Sequence, residues 1–143
     1  MNLSSTAFSD GEAIPSPFTC SGRDIAPSLS ISDVPGQAKS LSLIMDDPDA
    51  PVGTFVHWVV WNIPPDAKEL GHGINKGVQG MTDFGRIGYG GPCPPSGKHR
   101  YYFKLYALDC MLQLSEHAGK RELEQAMKGH ILAQAQLMGT YTR

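Results

Sequence analysis

Apolar residues along this chain fall into short runs of strand length, each cut off by glycine or proline. The run Leu41-Ser42-Leu43-Ile44-Met45 stops at Asp46-Asp47-Pro48-Asp49, and residues 55–63, rich in β-branched and aromatic side chains, stop at Pro64-Pro65. Residues 100–108, with Tyr101, Tyr102, Phe103 and Tyr106, read the same way, and Leu29-Ser30-Ile31 is a weaker fourth strand. Gly and Pro punctuate most of the chain too often for long helices. The last segment differs. Leu123, Met127, Ile131, Gln134 and Met138 follow the i, i+4, i+8 spacing of one helix face, with Glu122 and Glu124 early and Gly139 at the C′ position. The pattern predicts an all-β sandwich covered by one C-terminal α-helix running through these positions.

Alternation within the strands assigns faces. In residues 55–63 the period of two puts His57, Val59 and Trp61 on one face and Val56, Trp58 and Val60 on the other. The same rule sets His99 and Tyr101 side by side at a strand start. Before them, from Pro64 onward, runs a long connection dense in glycine, including Gly85, Gly88, Gly90, Gly91 and Gly97. An ordered domain seldom keeps so long an irregular segment unless it carries function.

Length and charge narrow the classes. The chain has 143 residues and a formal net charge of -2 without long runs of either sign. It is expected to form a single domain over 1–143, with no electrostatic reason to expect nucleic acid as a partner. The N-terminus has no basic and apolar leader pattern, and no stretch reaches the roughly 18 apolar residues of a membrane span. A cytoplasmic protein without stable membrane insertion is expected. Cys20, Cys93 and Cys110 are odd in number and lack C-x-x-C spacing, so reduced thiols are expected rather than a disulfide framework or zinc knuckle.

Candidate chemistry is concentrated in three places. Asp47-Pro48-Asp49-Ala50-Pro51 holds two carboxylates on a segment stiffened by two prolines; it reads either as a site or as a turn whose Asp side chains satisfy backbone N–H groups. His57 is either a buried core histidine or a ligand group. The segment from Gly88 to His99 fails as a P-loop: the spacing is one residue too long, three intervening residues are prolines, and His99 stands where Ser or Thr belongs. Gly90 and Gly91 still leave room for one or two N–H donors to an anion. No G-x-S-x-G elbow, H-E-x-x-H pair, EF-hand loop or G-x-G-x-x-G fingerprint is present. His72, His117, His130, Trp58 and Trp61 are read as structural.

Taken together, Asp47-Pro48-Asp49-Ala50-Pro51, His57-Trp58-Val59-Val60-Trp61-Asn62, and Gly90-Gly91-Pro92-Cys93-Pro94-Pro95-Ser96-Gly97 leading to His99-Arg100-Tyr101 resemble the phosphatidylethanolamine-binding protein family, specifically its bacterial and archaeal Raf-kinase-inhibitor-like branch. The resemblance spans most of the chain. It implies a Greek-key antiparallel β-sandwich with long Gly/Pro-rich loops and a small anion pocket. The family's D-P-D-x-P motif falls on Asp47, Asp49 and Pro51, its strand histidine on His57, and its H-R-Y motif on His99, Arg100 and Tyr101. Gly90, Gly91 and Cys93 would supply pocket backbone. Binding or inhibitory roles are implied rather than catalysis, with no cofactor or metal, and a homodimer is plausible within that branch. The C-terminal helix with an aromatic residue found in longer eukaryotic members has no counterpart before Arg143.

The expected ligand is a small anion or a phosphorylated group. Carboxylates repel such a ligand, so the attraction must come from imidazolium charge, backbone N–H groups and the Tyr101 hydroxyl, with Asp47 and Asp49 orienting the histidines. Two alternatives use the same residues: a metal-dependent or acid/base hydrolase, and a module recognising a phosphorylated or acidic side chain of a kinase or protease.

Overall fold

A computed structural model, which describes residues 1–74 and 76–143, arranges the chain as β1 (Asn2–Ser5), a 3₁₀ turn (Ser16–Phe18), β2 (Leu29–Ser32), β3 (Ser40–Asp47), β4 (Phe55–Ile63), β5 (Glu69–Leu70), β6 (Val78–Gln79), β7 (Lys98–Leu108), α1 (Lys120–Met127) and β8 (Ile131–Thr142). The strands form two antiparallel sheets, one ordered β1-β2-β5 and the other β6-β4-β3-β7-β8. Central β3 is buried at every position, which explains its unbroken apolar sequence: it is covered on both faces. One face carries Leu41, Leu43, Met45, Trp58, Val60, Tyr101, Phe103 and Leu105 against Leu3, Leu29 and Ile31 of the smaller sheet. The other carries Ile44, Val56, Val59, Trp61 and Leu108 against Leu123 and Met127 of α1.

The predicted strands are all present, but the terminal helix is corrected. It ends at Met127, and Ile131–Thr142 is instead the longest strand, paired with β7 along its whole length. Gly129 takes φ +83°, the left-handed turn that ends the helix and turns the chain back. Beyond it Ala133, Ala135, Leu137 and Tyr141 face the sandwich in strict alternation with Gln134, Gln136 and Thr142. The sparse i, i+4 matches conceal this period of two. Gly139 is not a helix C′ residue; a side chain there would meet Ile14 and Phe8 at under 3 Å.

The expectation of reduced cysteines is also corrected, because Cys20 and Cys93 form a disulfide across 73 residues, leaving Cys110 free. Cysteine count and spacing carried no sign of the bridge, since both partners sit in loops that only the folded chain brings together. Disulfides persist mainly in oxidising compartments, so the cysteines lend the cytoplasmic expectation no support. Among the described residues no helix is long and apolar enough to cross a membrane.

A third correction concerns β4. Trp58 pairs with Met45 and Val56 with Asp46, so His57 is the extra residue of a β-bulge. Val56 therefore joins Val59 and Trp61 under α1, while His57 turns with Trp58 to the sandwich face. There its ring meets Tyr101 edge-on, with centroids 5.2 Å apart. Simple alternation had placed it on the opposite face.

Candidate functional site

Three neighbouring strands bring the site together at one end of the larger sheet. Asp47 is the last residue of β3, His57 lies near the start of β4, and His99 and Tyr101 lie at the start of β7. Antiparallel pairing makes these strand ends coincide. They open on a cavity of about 240 Å³ that is also lined by Pro51, Cys93, Pro94, Pro95, Phe55 and Phe84. This is smaller than the usual drug-sized pocket and suits a compact ligand.

Asp47 sets the geometry. Its Oδ1 accepts the Asp49 N–H at 2.7 Å, fixing the turn out of β3, and its Oδ2 lies 2.6 Å from His99 Nδ1. Both side chains are buried. Fixing Nδ1 against the carboxylate leaves Nε2 as the His99 nitrogen available to a ligand. The two readings of the acidic turn are thus both met: Asp47 caps backbone and orients a histidine.

Asp49 does something else. Its carboxylate grips Arg100 through Nε and Nη2, both at 2.8 Å, and also accepts the Arg100 N–H at 3.0 Å. The guanidinium hydrogen bonds hold its pKa down at about 2. This charge-assisted fork lies at the surface, outside the cavity, so Asp49 does not orient either histidine, contrary to expectation. It anchors the Asp-Pro loop to β7.

His57 is buried, with Nδ1 2.7 Å from the Gly90 carbonyl. That nitrogen donates to the carbonyl, so Nε2 is the acceptor of the neutral ring. Burial lowers its pKa below the ordinary value of 6.5, against the opposing pull of the Gly90 carbonyl and the Asp47 charge. The expectation that both imidazoles carry positive charge is corrected for His57.

Tyr101 is fully buried on the cavity wall, and its hydroxyl has no hydrogen-bond partner. Burial first, then the charges of Asp47 and Asp49, raise its pKa well above the ordinary phenol range, so it remains a neutral donor. Buried hydroxyls normally have a partner, so an unmatched one on a residue that lines the cavity marks this wall as the place for a ligand.

Gly90 and Gly91 stand behind the wall rather than on it. The Gly90 N–H donates to the His57 carbonyl at 2.9 Å and the Gly91 N–H to Asp24 Oδ1 at 2.7 Å. Neither remains for an anion. Both must be glycine for closeness: a Cβ would lie 2.3 Å from Phe84 at Gly90 and 2.2 Å from the Phe18 carbonyl at Gly91. The expected N–H donors are thereby corrected to packing residues. Cys93 does line the cavity, tied by its disulfide to the turn after Phe18.

Sequence reasoning missed Phe55 and Phe84, which pack edge-on at 4.9 Å and each meet His57 edge-on. The Phe55–His57 spacing of two on one strand was a legible sign; Phe84 reaches the wall from the glycine-rich connection and had none. A second cavity of about 220 Å³ lies beside Trp58 and Tyr89. Its buried polar groups are already matched, Trp58 Nε1 to Gln79 at 2.8 Å and the Tyr89 hydroxyl to the Phe18 carbonyl at 2.6 Å. Among the described residues it therefore lacks the unmet donor that marks the first. Asp47, Asp49, His57 and His99 do not converge as metal ligands; among the described residues the group that does is Asp109, Cys110 and His130, at the other end of β7.

Comparison with known proteins agrees with this architecture. The sequence pattern described as Phosphatidylethanolamine-binding protein matches residues 4–142. The chain is 51% identical to the UPF0098 protein of Methanothermobacter thermautotrophicus, covering 100% of this chain and 99% of that one. A crystal structure of a putative phosphatidylethanolamine-binding protein homolog from Chlamydia trachomatis superposes with a TM-score of 0.96 at 49% identity, covering 99% of this chain and 97% of the other. Escherichia coli YbcL, described as a new member of the mammalian family, gives 0.91 at 29% identity, covering 99% and 98%.

Proposed function

Because this chain belongs to the phosphatidylethanolamine-binding protein family, we propose that its cavity binds a small oxyanion of the phosphate-monoester type, and that it acts by binding rather than by turnover. The observation that carries this reading is the unpartnered Tyr101 hydroxyl, buried beside two imidazoles whose inner nitrogens are already committed. His99 Nε2 and the Tyr101 hydroxyl donate to the ligand oxygens. Neutral His57 accepts from a protonated oxygen. Apolar walls at Phe55, Phe84 and Pro94 exclude water and strengthen these few bonds.

NMR titration with inorganic phosphate, acetate and phosphoethanolamine tests this directly. Shifts should cluster at Asp47, His57, His99 and Tyr101, with acetate weakest; unchanged spectra at all three would overturn the proposal. Tyr101→Phe separates binding from folding. Removing an unsatisfied buried hydroxyl should leave the melting temperature unchanged or slightly higher, while phosphate affinity falls about tenfold. A loss of stability with affinity intact would count against the ligand role.

The pH response has a definite sign. Affinity for sulfate, whose own charge is constant over the range, should rise as pH falls through the ordinary imidazole range if an imidazolium contacts the anion. His57 contributes less to this than an exposed imidazole would, because burial lowers its pKa. A flat profile from about pH 8 to 5 would eliminate an imidazolium contact. His57 also affects stability in the opposite sense: the unfolded chain binds its proton first, so stability drops as pH falls below 6.5 toward the lowered folded value.

A further inference from the structure

At the end of β7 away from the cavity, three donor atoms of different chemistry converge: a carboxylate oxygen of Asp109, the thiol of Cys110 and a ring nitrogen of His130, all within 4.8 Å of one another. We propose that these three residues form a binding site for a divalent cation of the zinc type, which clamps the base of the excursion that carries α1.

The backbone at this point is held from several sides. The Asp109 N–H donates to the His130 carbonyl at 3.0 Å, and the His130 N–H to the Met127 carbonyl at 2.9 Å. The Ser40 hydroxyl donates to the Cys110 carbonyl at 2.6 Å. Two residues on, the Asn62 side chain holds Leu112 by both its N–H and its carbonyl, at 2.8 and 2.7 Å. The three ligand-bearing residues therefore sit on fixed backbone, and a cation need order only their side chains.

Metal geometry is within easy reach. Zinc bonds of about 2.0 Å to nitrogen or oxygen and about 2.3 Å to sulfur put the donors of such a tetrahedral site roughly 3.3–3.5 Å apart. His130 Nδ1 and Asp109 Oδ1 are 2.8 Å apart, so the pair must open by about half an ångström. Both side chains are 46% exposed and free to make that adjustment. The His130 ring and the Cys110 thiol both lie against the one Asp109 carboxylate, an arrangement that a cation would hold together. Thiolate with imidazole selects a borderline or soft cation over magnesium or calcium, which take oxygen ligands. A water completes the fourth position on the exposed side. On binding, the thiol proton leaves to solvent and sulfur bonds the metal as thiolate.

The position gives the site a role. Asp109 and Cys110 open the segment that leaves the sheet, and His130 closes it just before β8. Between them lie Leu112, Ala118, Leu123 and Met127, which cover the second core. A cation here ties the two ends of that cover together.

The test is zinc and cobalt titration of the full chain with its Cys20–Cys93 bridge intact. One equivalent should bind, and cobalt should give a thiolate charge-transfer band that Cys110→Ser abolishes. Zinc at a hundredfold excess over its dissociation constant should raise the melting temperature by roughly 5–10 °C. Cys110→Ser and His130→Gln should each weaken zinc by more than about a hundredfold, beyond what losing a residue that only supports a ligand costs, whereas His99→Ala in the cavity should leave it unchanged. Absence of stoichiometric zinc on the wild type would overturn the proposal, as would binding that survives in both Cys110→Ser and His130→Gln.

Discussion

Cys20→Ser, paired with Cys93→Ser to avoid a stray thiol, is expected to lower the melting temperature by on the order of 10 °C. The bridge closes a loop of 73 residues. Constraining a loop of that length in the unfolded chain contributes about 4 kcal/mol in the chain-entropy account. At this chain length each kcal/mol shifts the midpoint by about 2–4 °C. The cavity should respond as well, because Cys93 is part of its wall and the bridge, together with the Cys20 N–H donated to the Pro92 carbonyl at 3.1 Å, fastens that wall to the turn after Phe18. Calorimetry of the oxidised, reduced and doubly substituted chains provides the check. Equal midpoints for all three would mean that the loops hold their places without the bond.

The second large effect is expected at Asp47. Asp47→Ala removes the partner of a buried histidine and the acceptor that fixes the Asp49 N–H. Losing one member of a buried pair typically costs about 3 kcal/mol. His99 would then be free to rotate, and phosphate affinity should fall tenfold or more, as it does when an orienting partner of a ligand histidine is removed. Asp47→Asn is the informative comparison. It keeps an oxygen for the turn, so most of the stability should return, while the carboxylate that holds His99 Nδ1 is gone and the affinity loss persists. Denaturant unfolding together with phosphate titration of both variants separates the two effects. An Asp47→Asn protein with wild-type affinity would show that orientation of His99 by a carboxylate is irrelevant to binding.

Most of the strands were legible because burial on both faces leaves its mark directly on sequence. Residues 41–45 could hardly be anything but a central strand, and β3 is buried throughout. The end of the chain was not legible in the same way. Eight residues of amphipathic helix run into twelve of strand across one short turn, and both patterns satisfy a loose i, i+4 reading. Lys128-Gly129 and the alternation of Ala133, Ala135 and Leu137 with the glutamines carried the correct signal.

The site shows the same division. Local pattern was enough to say which side chains are available: a carboxylate before a rigid Pro-x-x-Pro segment, a histidine in each of two strands, and a tyrosine two residues after the second of them. What each of them does depends on the folded neighbourhood. A bulge rotated His57 to the sandwich face, Arg100 drew Asp49 away from the histidines, backbone partners took up the glycine N–H groups, and a bond between distant loops made Cys93 part of the wall. The reason is physical. Periodicity encodes which positions are buried, but hydrogen-bond partners and strand register depend on residues tens of positions away, and local pattern does not carry that information.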